Sequence, residues 1–436
     1  MTSQSQSQSQ SFINTSYLIV GSGVFGTSTA YHLSLKHPDS SIILLDRSFP
    51  FPCSLAASHD YNKIVRADYE DIFYCGLALK AREFWRNDPF YNQYYHQSGY
   101  VIVDDTGLGR RIIENYEKLG IFDHQARVVR PEEMKNMYNG CFEGTDWRGV
   151  REVFINEGSG WAEATKAVQS VAEMAKTNGV KFIEGDVDNL ALKLDGTCIG
   201  VLTKDGRTFH ADKVILSTGA GTAKLLADSA SQMRHVLAED RITAAAVVSG
   251  HVKLNETECA KMKHIPVFDH GVGDVMGAVL PPTPDGVLKF YVDVSLKNTI
   301  RHEHSGHMIS TPPDEADQAQ HTVPKSLEDE CHRVMKGIYG KISEDFKFDS
   351  FRLCWDGITP NQDFIISPHP RCQNLYIATG GSFHGWKFLP IIGDYVVKML
   401  DNELDADHAE RWAWDRDQKG SAHKKFIPKR ELQHLT

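Results

Sequence analysis

Residues 17–30 read YLIVGSGVFGTSTA, and this stretch decides the fold. Tyr17 to Val20 form a short apolar run suited to a buried parallel strand. Gly21, Gly23, Gly26 and Ala30 follow at the spacing of a dinucleotide fingerprint. Gly21 permits the tight turn, Gly23 lets a pyrophosphate approach the backbone, and Gly26 lets helix and strand pack closely. The helix that begins there offers unpaired amides to phosphate charge. A second apolar run, SIILLD (41–46), ends in Asp46, 25 residues after Gly21 and placed to accept hydrogen bonds from a ribose. A glycine triplet alone is weak. Strand, glycines, helix, second strand and acid in this order predict a Rossmann-like unit that holds a dinucleotide.

Two later stretches repeat the strand-then-glycine pattern. FHADKVILSTGAG (209–221) carries the strand KVILST and the turn glycines Gly219 and Gly221. NLYIATGG (374–381) does the same before a helical run over 389–400. Three segments gathered around one extended cofactor suit a tightly held FAD better than an exchangeable NAD. Helical periodicity over 160–177, a strand in GVKFIEGDV (179–187) and turns at Asp195-Gly196 and Asp205-Gly206 continue the same domain. The expected architecture is α/β (α+β overall), with a discontinuous FAD-binding domain over 15–60, 158–235 and 350–400. A mixed-sheet substrate domain takes 61–157 and 236–349, and 401–436 form a C-terminal helix and tail. Residues 1–14, opening on a Ser/Gln repeat, read as a disordered tail, and the polar, His- and Pro-rich stretch 300–325 reads as a loop.

The formal charge of −10 over 436 residues argues against nucleic acid as the main partner. No run of 18 or more apolar residues is present, so no membrane span is expected. The eight cysteines are scattered without a CxxC pair, which favours a reducing compartment. His302, His304 and His307 lack the patterned carboxylate or further histidine of a metal site, so no metal is expected.

Four cations and one thiol stand out. Lys387, in GSFHGWKFLPIIG (381–393), follows a turn and is flanked by Trp386, Phe388 and Leu389, an apolar setting fit to hold a substrate carboxylate. Lys63 and Arg66, in SHDYNKIVRADYED (58–71), share a face if that segment is helical and supply positive charge to an anionic substrate or flavin. Lys289, in DGVLKFYVD (285–293), shares a strand face with Val287 and Tyr291 and points into a cavity or to an edge. Placed in a cavity, its charge promotes reaction with oxygen. Cys354 reads as a buried structural thiol from its own surroundings.

These residues carry a resemblance to the flavin-dependent amine oxidases that include monomeric sarcosine oxidase, L-pipecolate oxidase, L-saccharopine oxidase and the fungal fructosyl amino acid oxidases. The resemblance runs from GSGVFG to GSFHGWKFLPIIG. Its most specific piece is CWDGITPNQDFIISPHP (354–370), which resembles the family segment around the cysteine bonded to the flavin 8α-methyl. The resemblance implies covalent 8α-S-cysteinyl FAD on Cys354, oxygen activation by Lys289, a basic contact to the flavin from Lys63, and a substrate-carboxylate clamp of Arg66 and Lys387. It extends the cofactor contacts to Gly21, Gly23, Val24, Phe25, Gly26, Asp46, Arg47, Ser58, Val187, Gly219, Gly381 and Gly385, with Lys63 and Lys387 at the flavin end. Asn361 departs from the acidic residue that the family often has after the proline.

Arg66 is similar to the arginine of the sarcosine and pipecolate branch, while SHDYNK is shared with the fungal branch. GDVMGAVLPPTPDGVLK (273–289) lacks the aromatic, acidic segment of the fructosyl enzymes. The implied function is an oxidase of the secondary amine of an N-substituted or cyclic L-amino acid, saccharopine- or pipecolate-like, giving an imine and hydrogen peroxide. Alternatives are a deglycating fructosyl amino acid oxidase or an oxidase of another N-alkyl amino acid. An FAD dehydrogenase or a flavin-binding interaction protein is the reading outside the class. The partners are then the amino acid and molecular oxygen, and the resemblance implies a monomer. The C-terminal His434-Leu435-Thr436 differs from the small-basic-leucine peroxisomal signal, so the expected location is cytoplasmic.

Overall fold

The computed structural model describes residues 12–229, 233–315, 319–417 and 427–436. Two large sheets dominate it. The first has the strand order Val187–Leu192, Cys198–Thr203, Thr208–Leu216, Phe12–Val20, Ile42–Asp46 and Lys181–Glu184, with Leu375–Thr379 alongside Thr208–Leu216 and Ile365–Pro368 beyond it. Its centre is parallel: Val20 lies opposite both Leu216 and Leu45. Both faces of these strands are covered, which is why they read as continuous apolar runs. The helix Val24–Lys36 packs on one face together with Ala164–Thr177 and Ile392–Leu400.

The second sheet has ten strands and is mostly antiparallel. At its centre Thr243–Lys253 lies between Val287–Val292 and Ser350–Ile358. Here the two-residue period of a strand divides the side chains cleanly. Val248, Val252, Leu288, Phe290, Leu353 and Trp355 enter a buried core backed by the helix Lys325–Tyr339. Val247, Ser249, Lys289, Tyr291, Cys354 and Asp356 line a cavity on the other face. A small third sheet pairs Asn62–Val65 with Gly160–Glu163, which also pairs with Tyr95–His96.

Several sequence expectations change. The first strand begins at Phe12, so residues 12–14 belong to the sheet rather than to the tail; Ile13 and Asn14 pair with Phe209 and His210, long-range partners that the adjoining Ser/Gln repeat gives no hint of. The Ser/Gln repeat of residues 1–10 lies outside the described residues. Residues 160–163 are strand, and the helix starts at Ala164. The Lys63 segment is a strand, not a helix, so Lys63 and Arg66 do not share a helical face. The strand bearing Cys354 belongs to the second sheet rather than to the nucleotide-binding one. The stretch 300–325 contains a hairpin, Thr299–Arg301 with Met308–Ser310. The tail is partly built in, since Arg430–Glu431 adds to Leu296–Lys297.

Candidate active site

The carboxyl ends of the parallel strands open into a cavity of ~600 Å³ that continues across the polar face of the second sheet. Open α/β sheets bind ligands at this end. Gly21 turns there with φ +98°, a conformation L side chains rarely adopt, and its amide donates to Leu45 O at 2.8 Å. A Cβ at Gly26 would lie 1.8 Å from Gly21 O, so only glycine lets the helix sit this close to the turn. Gly23 faces the cavity, where an added Cβ would meet Ser58 Oγ at 3.4 Å. Ser58 accepts from Val24 N at 2.9 Å, and Asp46 accepts from Ser22 N and Arg47 N at 2.7 Å each.

Val24, Phe25, Asp46, Arg47, Ser58, Val187, Gly219, Gly381 and Gly385 all line the same cavity, while Gly26 sits behind it as packing. Glycine turns, a helix amino end and a terminal strand acid together form a cradle that fits FAD.

Beyond the cradle the sequence-derived cations converge. Lys63 Nζ lies 2.6 Å from Asp60 Oδ2 and 3.7 Å from Cys354 Sγ. Lys289 Nζ reaches the same Asp60 oxygen at 2.5 Å and Asn62 O at 3.2 Å. Lys289 is 5% exposed, and burial pushes its ammonium down to about 8, against the pull of Asp60 and with the repulsion of Lys63. Burial also opposes the charge on Lys63, but Asp60 overcomes it and raises the ammonium above its ordinary value. Burial opposes the Asp60 carboxylate too, yet Lys289, Lys63 and Arg352 hold it well below the usual carboxylate range. One carboxylate thus joins two lysines.

Arg66 and Lys387 meet on the adjoining wall although 321 positions separate them. The Arg66 guanidinium donates to Asp68 O and lies 4.6 Å from the centre of the Tyr69 ring and 5.3 Å from that of Tyr100. Lys387 Nζ donates to Tyr69 Oη at 2.8 Å and His384 O at 2.7 Å. Its backbone is fixed by Trp85, whose Nε1 donates to Lys387 O at 2.7 Å and whose ring stacks on Trp386. Burial and the neighbouring Arg66 lower the Lys387 ammonium well below its ordinary value. Tyr100 Oη donates to Asp269 Oδ2 at 2.7 Å on the same side of the cavity.

Asp60, Tyr69, Tyr100 and Asp269 are the residues that sequence reasoning missed. Asp60 and Tyr69 lie inside the quoted SHDYNKIVRADYED stretch, so their signal was proximity to Lys63 and Arg66; Tyr100 and Asp269 sit on separate strands with no local mark. Among the described residues no group of three or more His, Cys, Asp and Glu is placed to hold a metal, and His302 instead binds Asp228 and Ser305, each at 2.8 Å. No helix among them is long and apolar enough to cross a membrane.

Three likenesses accord with this geometry. The chain is 27% identical to L-saccharopine oxidase of Schizosaccharomyces pombe over 93% of its own length and 94% of the relative's. Its fold matches a thermally stable mutant of fructosyl peptide oxidase with a TM-score of 0.84 and 27% identity, covering 97% of this chain and 98% of the other. It also matches the deglycating fructosamine oxidase Amadoriase II of Aspergillus fumigatus with a TM-score of 0.80 and 26% identity, covering 97% and 96%. The family model described as FAD dependent oxidoreductase matches residues 16–399. The chain belongs to this family, within its branch of FAD-dependent amine oxidases.

Proposed function

We propose that this oxidase acts on the secondary amine of an N-substituted α-amino acid whose carboxylate is held between Arg66 and Lys387. The observation that carries the reading is the convergence of those two cations on one cavity wall, joined through Tyr69. A guanidinium and an ammonium held in place bind a carboxylate strongly and fix its orientation. In this reading Gly21, Gly23, Val24, Phe25, Asp46, Arg47, Ser58, Val187, Gly219, Gly381 and Gly385 hold the FAD, and Cys354 is its covalent attachment. Bound FAD supplies two-electron acceptance from the C–H beside the amine. Lys63 and Lys289 present positive charge, and Asp60 holds both ammonium groups in position.

The amino acid expected first from the sequence is saccharopine- or pipecolate-like. The solved structures support an N-fructosyl amino acid or peptide better, and the site offers a reason. Tyr100 and Asp269 set a phenol and a carboxylate on the cavity wall, partners suited to a hydroxyl-bearing substituent. The sequence likeness to L-saccharopine oxidase favours the second reading. Anaerobic mixing with fructosyl amino acids, L-saccharopine, L-pipecolate and sarcosine, each followed by flavin absorbance, separates them. Rapid bleaching by the fructosyl compounds is the expected result. Bleaching by saccharopine or pipecolate alone would replace it with the second reading, and no bleaching by any of them would overturn the carboxylate clamp.

A further inference from the structure

Reduction of oxygen to hydrogen peroxide takes two electrons and two protons. The reduced flavin supplies both electrons and the proton on N5; the other proton comes from solvent, so that FADH⁻ + O2 + H⁺ gives FAD + H2O2. The cavity face of the second sheet backs the end where Lys289 stands. A row of side chains runs along this face from the exposed start of the strand Ser350–Ile358 to the cavity.

His251 lies directly opposite Lys289 on one neighbouring strand and opposite Ser350 on the other. Residues so paired in an antiparallel sheet project from the same face. His251 Nε2 is 3.3 Å from Ser249 Oγ, and its Nδ1 is 3.2 Å from Ser350 Oγ. Ser249 lines the cavity, Ser249 and His251 are 3% and 5% exposed, and Ser350 is exposed at the start of its strand. Each ring nitrogen therefore meets one hydroxyl, one hydroxyl on the cavity side and the other on the solvent side. We infer that Ser350, His251 and Ser249 form a proton relay that carries the solvent proton consumed in oxygen reduction to the cavity beside Lys289.

In the relay a proton arrives at Nδ1 from Ser350 while Nε2 passes its proton to Ser249, whose hydroxyl proton moves into the cavity. The bonds N–H and O–H exchange along the row, no electron moves, and one proton enters for each peroxide formed. Reorientation of the hydroxyls and a turn of the ring reset the row, so that no proton moves back along it. The surroundings suit a ring that stays neutral between transfers. Burial, then Lys289, Arg352 and His321, push the imidazolium down to about 4, with Asp60 acting the other way. The Tyr61 ring closes over the imidazole edge-on at 5.1 Å. A neutral imidazole with a donor nitrogen and an acceptor nitrogen is the form that passes protons in both directions.

The inference rests on oxidase chemistry and not on the choice of amine, so the test reduces the holoenzyme with dithionite and mixes it with oxygen. His251→Gln keeps polar groups near both serines but cannot exchange a proton between two ring nitrogens. Its reoxidation is expected to slow on the order of 10²-fold with a larger solvent deuterium effect, while anaerobic reduction by a substrate amine keeps its rate. Ser350→Ala, at an exposed strand start, leaves folding intact and should slow reoxidation in the same direction. A second readout is independent of turnover: ¹⁵N NMR of His251 should show one protonated and one acceptor nitrogen at neutral pH. Exchange of its ring N–H with solvent should be fast in the parent and slow in Ser350→Ala. Unchanged reoxidation and isotope effect in Ser350→Ala, or ring exchange indifferent to that substitution, would overturn the relay.

Discussion

Lys289 Nζ lies 2.5 Å from Asp60 Oδ2, and both side chains are almost wholly buried. The carboxylate that anchors this lysine also binds Lys63, so Lys289 is drawn toward its charged form by one neighbour and away from it by the other. Burial, joined by Lys63, outweighs Asp60 and lowers its ammonium to about 8: charged below that pH and losing charge as the pH rises through it. Positive charge favours the negative charge that develops on oxygen. Reoxidation of the reduced enzyme should therefore be level below pH 8 and fall above it. Asp60→Asn removes the anion that supports the ammonium, so the falling limb should move to lower pH. Stopped-flow reoxidation on both sides of pH 8 checks this, and an unmoved limb would separate Lys289 from the profile.

Lys289→Met keeps most of the stem and removes the charge. The oxidative half-reaction should slow by about 10²-fold or more, the usual loss when one preorganised electrostatic contact disappears. Anaerobic reduction by substrate should change far less. Comparable slowing of both halves would count against a role confined to oxygen.

The low affinity of Lys387 for its proton has a consequence for substrate binding. Burial and Arg66 disfavour its charged form, whereas a carboxylate placed between the two cations favours it. Binding should then take up a proton at Lys387, and affinity should weaken as pH rises above the lysine's ligand-free value. Calorimetry in buffers of different ionisation enthalpy measures the uptake directly. In Lys387→Met the uptake should vanish and kcat/KM fall roughly 10- to 150-fold, the loss of one charge-assisted hydrogen bond of about 1.5–3 kcal/mol. Uptake that survives the substitution would place the titrating group elsewhere.

The nucleotide half of the site is legible because its signals are local: the glycines, the strand before them and Asp46 occupy one continuous stretch. Lys289 and Lys387 are legible for a related reason, as charges set in apolar surroundings that strand or helix would bury. Asp60 is harder, because a carboxylate three residues before a lysine looks like an ordinary surface partner. Its decisive contact, with Lys289, spans 229 positions. Tyr100 meets Asp269, and His251 meets Ser350, only after the sheet has formed. The strand start at residues 12–14 and the short hairpin within 299–310 escape for the same reason, since partners and not a local signal hold them.

Two glycines of the fingerprint should fail differently. An added Cβ at Gly26 meets Gly21 O at 1.8 Å, a backbone atom that can move only by shifting the turn against its strand. Gly26→Ala should lower thermal stability and leave the chain poorly loaded with flavin. At Gly23 the nearest atom is a serine hydroxyl at 3.4 Å, so Gly23→Ala should fold normally. Its methyl group occupies cavity space against the cofactor and should weaken FAD retention alone. Circular dichroism melting and the flavin-to-protein absorbance ratio distinguish the outcomes; equal losses of stability in both would place Gly23 in packing rather than in the cradle.

Cys354 is the last test, because it separates a held cofactor from a bonded one. The thiol is buried on the cavity face, with the Lys63 ammonium 3.7 Å from its sulfur. Formation of a thioether uses this sulfur as the nucleophile, and the Lys63 ammonium stands beside it. Cys354→Ser removes the nucleophilic sulfur at almost constant volume and leaves the fold intact. The parent should keep its flavin fluorescence on a denaturing gel, while Cys354→Ser should release FAD on unfolding. Lys63→Met should give partial attachment that rises slowly after reconstitution of the flavin-free chain. Flavin that stays bound to denatured Cys354→Ser would move the attachment to another side chain, and flavin freely released from the parent would leave FAD held by the glycine cradle and its polar contacts alone.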